Sequence, residues 1–334
     1  MITMKYFALL FCIAVMVLGT PNAAAQESDR DRGIQLYRAG KSADAVSMLE
    51  RASGQQKFGS DPETFNYLGL AYLNADDVKK ARKSLEKAVK LQPQNSIYRA
   101  NLAYAYLLAR QLNRSQEQAK KAVQIDPANV YAYYVLGTAD LWEGKLDDAL
   151  SSAEKIVVID PHFSSAYVLK SEVLLAKLGK QVAGGSTVKE SIVLLRQARD
   201  VLATAVENSQ GDPGIKTAEA KFEAITAFYD YYNRDSTLNP TEPDPGVIPI
   251  KILSKPRATY TDNARQSGKS GSVRLAVLFG ANGKIQHILK MSGVGYGLDE
   301  QAMKAARLIV FEPKMKDGKP VSSVLTIEYS FSIY

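Results

Sequence analysis

The sequence predicts an α-solenoid of stacked helix pairs followed by a small α+β domain. The first indication is a 34-residue spacing, because the triplets LQP, IDP and IDP end at Pro93, Pro127 and Pro161. The second is a proline-rich stretch after position 234, and the third is a change beyond it from helical to alternating apolar periodicity. With 334 residues, 46% of them apolar, the chain is long enough to form two cores.

Each 34-residue unit carries two apolar faces at helical spacing. The unit from Pro62 to Pro93 shows them in order: Phe65, Leu68, Gly69 and Tyr72 on the first face, then Ala81, Leu85 and Ala88 on the second. Small residues on these faces let the two helices touch, and the closing proline ends the second helix. The units Ser96–Asn129 and Val130–Phe163 repeat this pattern.

These positions resemble the tetratricopeptide repeat (TPR), in which each unit folds as a helix pair. There are two departures from the usual pattern, since Ser115 stands where alanine is usual and Asp140 stands where tyrosine is usual. A looser unit around Gly33 precedes the three clear ones, another begins at Ser164, and Lys216–Tyr232 has the pattern of a capping helix. We therefore expect about five repeats.

The TPR resemblance implies that residues 26–234 form a groove lined by the first helix of each repeat. The inward positions of this groove are Asn66, Leu70, Tyr104, Leu107, Tyr131, Tyr134, Thr138 and Leu141. The lining is aromatic and apolar and lacks the row of Lys, Arg and Asn that holds a peptide carboxylate in chaperone-binding members. It favours an extended or helical protein segment held by stacking. Alternatively, the same tyrosines fill the seam between neighbouring repeats.

Residues 1–25 have the features of an export signal. Lys5 precedes an apolar run over residues 6–19, and Ala23–Ala25 has the small-residue form that signal peptidase accepts. As a helix the run would span about 21 Å, short of the roughly 30 Å hydrocarbon core, which favours a cleaved signal peptide over a membrane anchor. The only cysteine, Cys12, lies in this run, so a cleaved chain has no thiol for a disulfide or a metal.

Residues 235–249 predict a stiff connector between the domains. They contain four prolines and little to bury. At about 3.1 Å per residue, about 14 residues of such a segment reach roughly 43 Å. We expect it to separate the solenoid from the second domain.

In residues 250–334 the apolar pattern alternates. Two alternating segments flank Asn282-Gly283 and predict a β-hairpin, the last segment predicts a third strand, and Leu298–Ile309 between them has helical spacing. A three-stranded antiparallel sheet with one helix on one face follows. The second hairpin strand is expected to place these residues together on the inner face: Ile285, His287, Leu289 and Met291.

Three stretches of this region resemble the C-terminal domain of TonB-family energy transducers: KPRATYTDNARQSGKSGSVRLAVLFGANGKI, LDEQAMKAARLIVFEP and DGKPVSSVLTIEYSFSI. One departure is that the usual Tyr-Pro near the domain start is Tyr260-Thr261 here. The family implies an open edge on the last strand. There an extended segment of a partner, such as an outer-membrane transporter, adds as a further strand.

The resemblance places this edge at Leu325, Thr326, Ile327, Glu328, Tyr329, Ser330, Phe331 and Ser332. Nearby basic residues would attract acidic flanks of the guest, because residues 246–334 carry 13 Lys and Arg against 6 Asp and Glu. Residues 26–245 carry 28 against 29. Alternatively, the edge pairs with a second copy in a homodimer or stays solvated.

No motif predicts an enzyme, a cofactor or a metal site. His162 and His287 lack an HExxH motif, a cysteine partner or an acidic cluster at ligand spacing, so we interpret them as structural. The GVGYG stretch over 293–297 lacks the full GxGxxG motif and a Walker lysine, and predicts a flexible connection. The export signal argues against nucleic acid as a partner of the basic C-terminal domain.

Two functions remain open from the sequence. The favoured one is a non-enzymatic periplasmic adaptor, cleaved after about Ala25, whose solenoid holds one protein while the TonB-like domain adds an extended segment of another. The alternative is an energy transducer anchored in the inner membrane and facing the periplasm, whose repeats act as a spacer. The two functions differ in the fate of residues 1–25, and the membrane is a partner only if this leader is uncleaved.

Overall fold

A computed structural model of the chain describes residues 28–186, 192–208, 214–234 and 246–333. The predicted leader and residues 235–245 of the predicted connector lie outside the described residues. The first part of the chain forms α1 (Asp29–Arg38), α2 (Ser42–Gly54), α3 (Pro62–Asn74), α4 (Val78–Leu91), α5 (Ser96–Leu108), α6 (Leu112–Ile125), α7 (Val130–Glu143), α8 (Leu146–Ile159), α9 (Ser164–Ala183), α10 (Ile192–Asn208) and α11 (Ile215–Arg234). These helices form a TPR-like solenoid, as predicted.

The start of each central repeat is fixed by a side-chain cap. Asp61, Asn95 and Asn129, which follow one another at the 34-residue spacing, precede α3, α5 and α7. The side chain of each accepts a hydrogen bond from the backbone N–H three residues further on, at 3.0, 3.1 and 2.9 Å. Each cap satisfies a backbone donor that the first helical turn leaves free.

Close helix contacts explain the glycines of the repeat pattern. A Cβ on Gly69 would lie 2.5 Å from Cγ of Leu85, and a Cβ on Gly137 would lie 2.9 Å from Cδ2 of Leu169. Both distances are well below van der Waals contact, so only glycine lets the helices approach this closely. The prediction that small residues let the helices touch is confirmed.

Both departures from the repeat pattern are hydrogen-bonded. The hydroxyl of buried Ser115 donates to the backbone carbonyl of Ala103 at 2.8 Å. The carboxylate of Asp140 is 6% exposed and accepts from the side-chain amide of Gln116 at 2.7 Å. Buried polar groups are tolerated in a packed core when they are paired in this way.

The C-terminal domain adds eight strands and two helices among the described residues. They are β1 (Val247–Ile248), β2 (Lys251–Ser254), α12 (Asp262–Gln266), β3 (Gly271–Phe279), β4 (Ile285–Ser292), α13 (Leu298–Ala306), β5 (Val310–Glu312), β6 (Lys314–Lys316), β7 (Lys319–Val321) and β8 (Ser323–Phe331). The main sheet is antiparallel with strand order β4-β3-β8. Two small sheets, β2-β5 and β1-β6-β7, accompany it.

One face of the main sheet packs against α13, as predicted. The core on this face includes Val273, Leu275, Val277, Phe279, Leu298, Ala302, Ala306, Ile327, Tyr329 and Phe331. The alternation of β3 and β8 therefore follows the sequence pattern. Burial of these side chains is the main source of stability for the small domain.

The second hairpin strand does not keep the expected alternation. Ile285 packs in the core under α13, whereas Leu289 and Met291 pack on the opposite face of the sheet. The cause is an irregular register between β3 and β4, which shifts between Leu278 and Phe279. A bulge of this kind moves the side chains beyond it to the other face. The prediction of one common inner face for β4 was wrong.

The second face of the main sheet packs on the end of the solenoid. This shared core joins α9, α10 and α11 to the sheet and contains Leu174, Leu178, Leu202, Ile225, Phe228, Ala276, Leu278, Leu289 and Met291. At its centre α9 passes so close to β4 that a Cβ on Gly179 would overlap the backbone carbonyl of Met291. The two domains therefore share a core across the predicted boundary, because both offer apolar surface to bury.

None of the described helices combines the length and the apolarity needed to cross a membrane.

Candidate protein-interaction surfaces

Strand β8 lies at the free edge of the main sheet. Among the described residues it pairs with β3 alone, in a continuous register from Gly271 opposite Phe331 to Phe279 opposite Ser323. Its predicted residues split into two sets by side-chain position. Leu325, Ile327, Tyr329 and Phe331 pack toward α13, whereas Thr326, Glu328, Ser330 and Ser332 are exposed.

One hydrogen bond shows which residues of β8 point their backbone N–H and C=O groups away from β3. The ammonium of Lys255, which is not part of the sheet, donates to the backbone carbonyl of Glu328 at 2.7 Å. The N–H and C=O of one residue point to the same side of an antiparallel strand, and this side alternates along the chain. Thr326, Glu328 and Ser330 therefore direct both backbone groups away from β3, where a further strand would bond.

A groove of about 780 Å³ runs along this edge. One wall is β8 from Glu328 to Phe331 with Ser332 and Ile333 beyond it, and the other is formed by Lys255, Pro256, Arg257, Ala258, Tyr260 and Arg265. The Tyr260 ring meets the Phe331 ring edge-on, with centroids 6.0 Å apart. The groove thus combines a strand edge that no further described strand covers with an aromatic surface, and both suit an extended peptide.

The groove carries unbalanced positive charge. Its carboxylate, Glu328, is paired with Arg274 at 3.1 Å, and Arg265 is paired with Asp262 at 3.2 Å. Within the described ranges Lys255 and Arg257 have no carboxylate within 4.0 Å. A hydrogen bond from Ser272 and the guanidinium of Arg274 hold the pKa of Glu328 below its usual value, so this carboxylate stays ionised.

The opposite wall was not among the predicted site residues. The sequence signal for it was present, since Lys255-Pro256-Arg257 places two cations around a proline immediately after β2. Proline cannot continue a paired strand, so the chain leaves the sheet at this point and passes beside β8. The resemblance to TonB proteins predicts the last strand as the binding edge and says nothing of this wall.

The eight predicted residues of the solenoid groove divide by burial. Asn66 and Leu107 are 5% and 1% exposed, so their side chains pack inside the solenoid and do not line the groove. Asn66 accepts a hydrogen bond from the side-chain amide of Asn101 at 2.8 Å. The remaining six are half-buried: Leu70, Tyr104, Tyr131, Tyr134, Thr138 and Leu141.

The tyrosines of this set form a continuous aromatic ladder. Tyr104 contacts Tyr131 with ring centroids 5.7 Å apart, Tyr131 stacks on Tyr134 at 6.4 Å, and Tyr134 meets Phe163 edge-on at 5.9 Å. Burial raises the pKa of Tyr131 far above its usual value, so its hydroxyl stays protonated. The ladder joins the third repeat to the fourth, as the alternative interpretation of these tyrosines expects, and each tyrosine stays half-buried.

The C-terminal domain covers the last part of this groove. Glu172 and Leu175 of α9 follow Thr138 and Leu141 at the repeat spacing, and Leu175 lies in the core shared with the sheet. Glu172 accepts from Lys221 of α11 at 2.7 Å. The chain itself therefore occupies the inward positions of the fifth repeat.

The GVGYG loop forms a second contact between the domains. Gly295, Tyr296 and Gly297 all have left-handed backbones, with φ of 76°, 56° and 81°. The Tyr296 ring lies 5.0 Å from the guanidinium of Arg110, which stacks 3.6 Å from the ring of Trp142. The sequence motif therefore builds a docking loop against the solenoid, a role that the prediction of a flexible connection missed.

Asp299 holds this loop in shape. Its carboxylate accepts from the backbone N–H groups of Val294 and Gly295 at 2.8 and 3.0 Å, and from Lys290 at 3.1 Å. Burial alone would raise the pKa of Asp299, but Lys290 and the two N–H groups outweigh it and hold the pKa below its usual value.

Two family models match separate parts of the chain. Residues 29–141 match the model described as Psidin, N-terminal TPR repeats region, and residues 256–333 match the model described as Gram-negative bacterial TonB protein C-terminal. These matches confirm both resemblances. The chain combines a TPR region with a TonB C-terminal domain, and both are interaction modules.

Several solved structures are similar to this chain, and two of them are described as TPR proteins. A thermophilic TPR protein of Thermus thermophilus is 20% identical, with 60% of this chain and 97% of that one covered and a TM-score of 0.48. The Arabidopsis OM64 TPR domain is 27% identical, with 34% and 93% covered and a TM-score of 0.33. A MamA chain (41-end) from Desulfovibrio magneticus RS-1 is 22% identical, with 51% and 94% covered and a TM-score of 0.41. No curated protein matches the chain.

Proposed function

We propose that this protein is a non-enzymatic periplasmic adaptor whose β8 groove takes an extended segment of a partner protein as an added strand. The observation that carries the proposal is the unpaired β8 edge beside a groove of about 780 Å³. An exposed edge offers a row of free backbone donors and acceptors to any extended chain. Main-chain bonds then supply affinity, and the walls of the groove supply selectivity.

The dimensions of the groove suit a short guest. Its β8 wall runs from Glu328 to Ile333, which at about 3.3 Å per residue corresponds to roughly 20 Å of extended chain. The outward backbone groups of Glu328 and Ser330 would form the central bonds. Tyr260 and Phe331 would pack against guest side chains that point toward the domain core.

The solenoid provides the second partner surface in this proposal. The ladder from Tyr104 to Phe163 lies along the third and fourth repeats, and the C-terminal domain covers the fifth. A bound segment would therefore lie along the first four repeats. Docking of the domains would hold the two partners at a fixed distance from each other, independently of the connector.

A periplasmic location rests on two supports. The C-terminal model is described for Gram-negative bacterial TonB proteins, and residues 1–25 have the features of an export signal.

A pair of variants at one position tests strand addition. Glu328→Pro removes the outward backbone N–H together with the carboxylate, whereas Glu328→Ala removes the carboxylate alone. Peptides selected from a random display library on residues 26–334 serve as the probe, with affinity measured by calorimetry. We expect Glu328→Ala to bind these peptides within about threefold of the unmodified chain and Glu328→Pro to bind at least about tenfold more weakly, because a main-chain bond is lost.

Folding of the variants is checked by circular dichroism and thermal melting. Proline is tolerated at an edge position whose N–H faces away from the sheet, so both variants should keep their fold. Equal affinity of folded Glu328→Pro and Glu328→Ala for every selected peptide would contradict strand addition at β8.

A further inference from the structure

The free edge of β8 is capped by one side chain of the protein. Lys255 extends from the wall opposite β8 and donates from Nζ to the backbone carbonyl of Glu328 at 2.7 Å. The same ammonium lies 4.8 Å from the centroid of the Tyr329 ring. Lys255 thus stands where the backbone N–H of a guest strand would bond.

A guest strand has to displace this ammonium. The bond from Lys255 is charge-assisted, and such bonds are roughly twice as strong as neutral ones. A guest N–H replaces it with a neutral bond, and the released ammonium also loses its contact with Tyr329. Strand addition is therefore unfavourable at this position unless the guest gives the ammonium a new partner.

No described carboxylate near the groove is free to pair with the displaced Lys255 ammonium. Glu328 is paired with Arg274, and Asp262 is paired with Arg265. Arg257, on the same wall as Lys255, adds a second cation that has no carboxylate within 4.0 Å in the described part of the chain. The partner that the groove lacks is an anionic side chain.

We propose that Lys255 is a gate on the β8 edge that selects guest segments carrying an Asp or Glu beside the residue that bonds Glu328. This inference rests on the proposed strand addition and states which guest segments the edge would prefer. The guest carboxylate forms an ion pair with the Lys255 ammonium, while the guest backbone N–H donates to the carbonyl of Glu328. The exchange then replaces one charge-assisted bond by a neutral bond and an ion pair.

The same arrangement disfavours a second copy of this chain as the guest. Among residues 323–333 the only acidic residue is Glu328, and its carboxylate is already paired with Arg274. Antiparallel pairing of two β8 edges centred on this residue would place two Glu328 side chains opposite each other, which is destabilising. Edge lysines are a common protection of sheets against such self-pairing.

Matched peptides test the gate. Each selected peptide is compared with a version in which Asp or Glu is replaced by Asn or Gln, on the unmodified chain and on Lys255→Met. We expect the unmodified chain to prefer the acidic version by about tenfold. Lys255→Met should lose this preference and bind the amide version more tightly than the unmodified chain does, since no ammonium has to be displaced.

Lys251→Met is the matched control. Lys251 lies on β2, is exposed and pairs loosely with Glu312 at 3.9 Å, outside the groove. Its removal takes away the same charge and should leave the acidic preference intact. If both Lys255→Met and Lys251→Met lost the preference for acidic peptides, the net charge of the domain would explain that preference, and the gate would be refuted.

The remaining outcomes separate the gate from strand addition. One outcome is that Glu328→Pro weakens peptide binding while Lys255→Met keeps the preference for acidic peptides. In that case the gate is wrong and strand addition stands. If no selected peptide is sensitive to Glu328→Pro, or if none is obtained, both proposals fail. Dimers of Lys255→Met in size-exclusion chromatography would support the role of Lys255 against self-pairing, and dimers of the unmodified chain would overturn it.

Discussion

Replacing Gly179 by alanine tests the docking of the two domains. An added methyl group on Gly179 would overlap the backbone carbonyl of Met291, so α9 and β4 would have to move apart. Inserting a carbon into a packed interface costs about 1–3 kcal/mol. Alanine in place of glycine inside a helix gains up to about 1 kcal/mol. We therefore expect a net loss of about 1–2 kcal/mol in the free energy of unfolding.

The only tryptophan of the chain makes this effect visible. Trp142 stacks 3.6 Å from the guanidinium of Arg110, which also contacts Tyr296 of the docking loop. Its fluorescence reports on the junction, whereas circular dichroism reports on the helices. In urea, Gly179→Ala should show the fluorescence transition at a lower concentration than the unmodified chain.

Gly54→Ala is the control for this prediction. Gly54 is the last residue of α2, and an added Cβ would meet no atom within 4 Å. This variant should be neutral or stabilised by up to about 1 kcal/mol. The docking account is refuted if Gly179→Ala is as stable as Gly54→Ala and leaves the Trp142 fluorescence unchanged.

Three further predictions concern charge and processing. Because the pKa of Asp299 is lowered by folding, its contribution exists above the unfolded pKa and is lost as pH falls through the folded value. Asp299→Asn should thus cost about 1–2 kcal/mol at pH 7 in urea melts, and this cost should shrink as the pH falls below the usual pKa of an aspartate. Burial raises the pKa of Asp140, so Asp140→Asn, which still accepts from Gln116, should be neutral or slightly stabilising at pH 7. N-terminal sequencing of the exported protein should begin near Gln26, and an intact Met1 in the membrane fraction would favour the anchored transducer.

The repeats could be predicted because their determinants are local. The 34-residue spacing fixes the caps at Asp61, Asn95 and Asn129, and the small residues at Gly69 and Gly137 fix where helices touch. Each determinant acts within one repeat or its neighbour. The period alone therefore recovers the helix order.

The docking of the domains could not be predicted with the same ease. Its signals are present, since β3 has an unbroken apolar run over 275–279 and α9 contains Gly179 near its C-terminal end. An unbroken apolar run indicates a strand buried on both faces. Neither signal identifies the surface that it packs against, because the helices that cover the second face lie about 50 to 100 residues earlier in the chain.

The groove was only half predicted for a related reason. The β8 edge follows from alternation and from the TonB resemblance, whereas the wall with Lys255 and Tyr260 is set by the path of an irregular segment. The irregular register that places Leu289 and Met291 on the solenoid side is likewise invisible to a strict two-residue period.

Residue-resolved amide hydrogen exchange on the chain with and without a selected acidic peptide tests the central claim most directly. The outward amides of Thr326, Glu328 and Ser330 should exchange at least about tenfold more slowly when the peptide is bound. The amides of Ile327 and Tyr329, which face β3, should change little. Protection confined to the solenoid, or none along β8, would contradict the claim that this edge receives a partner strand.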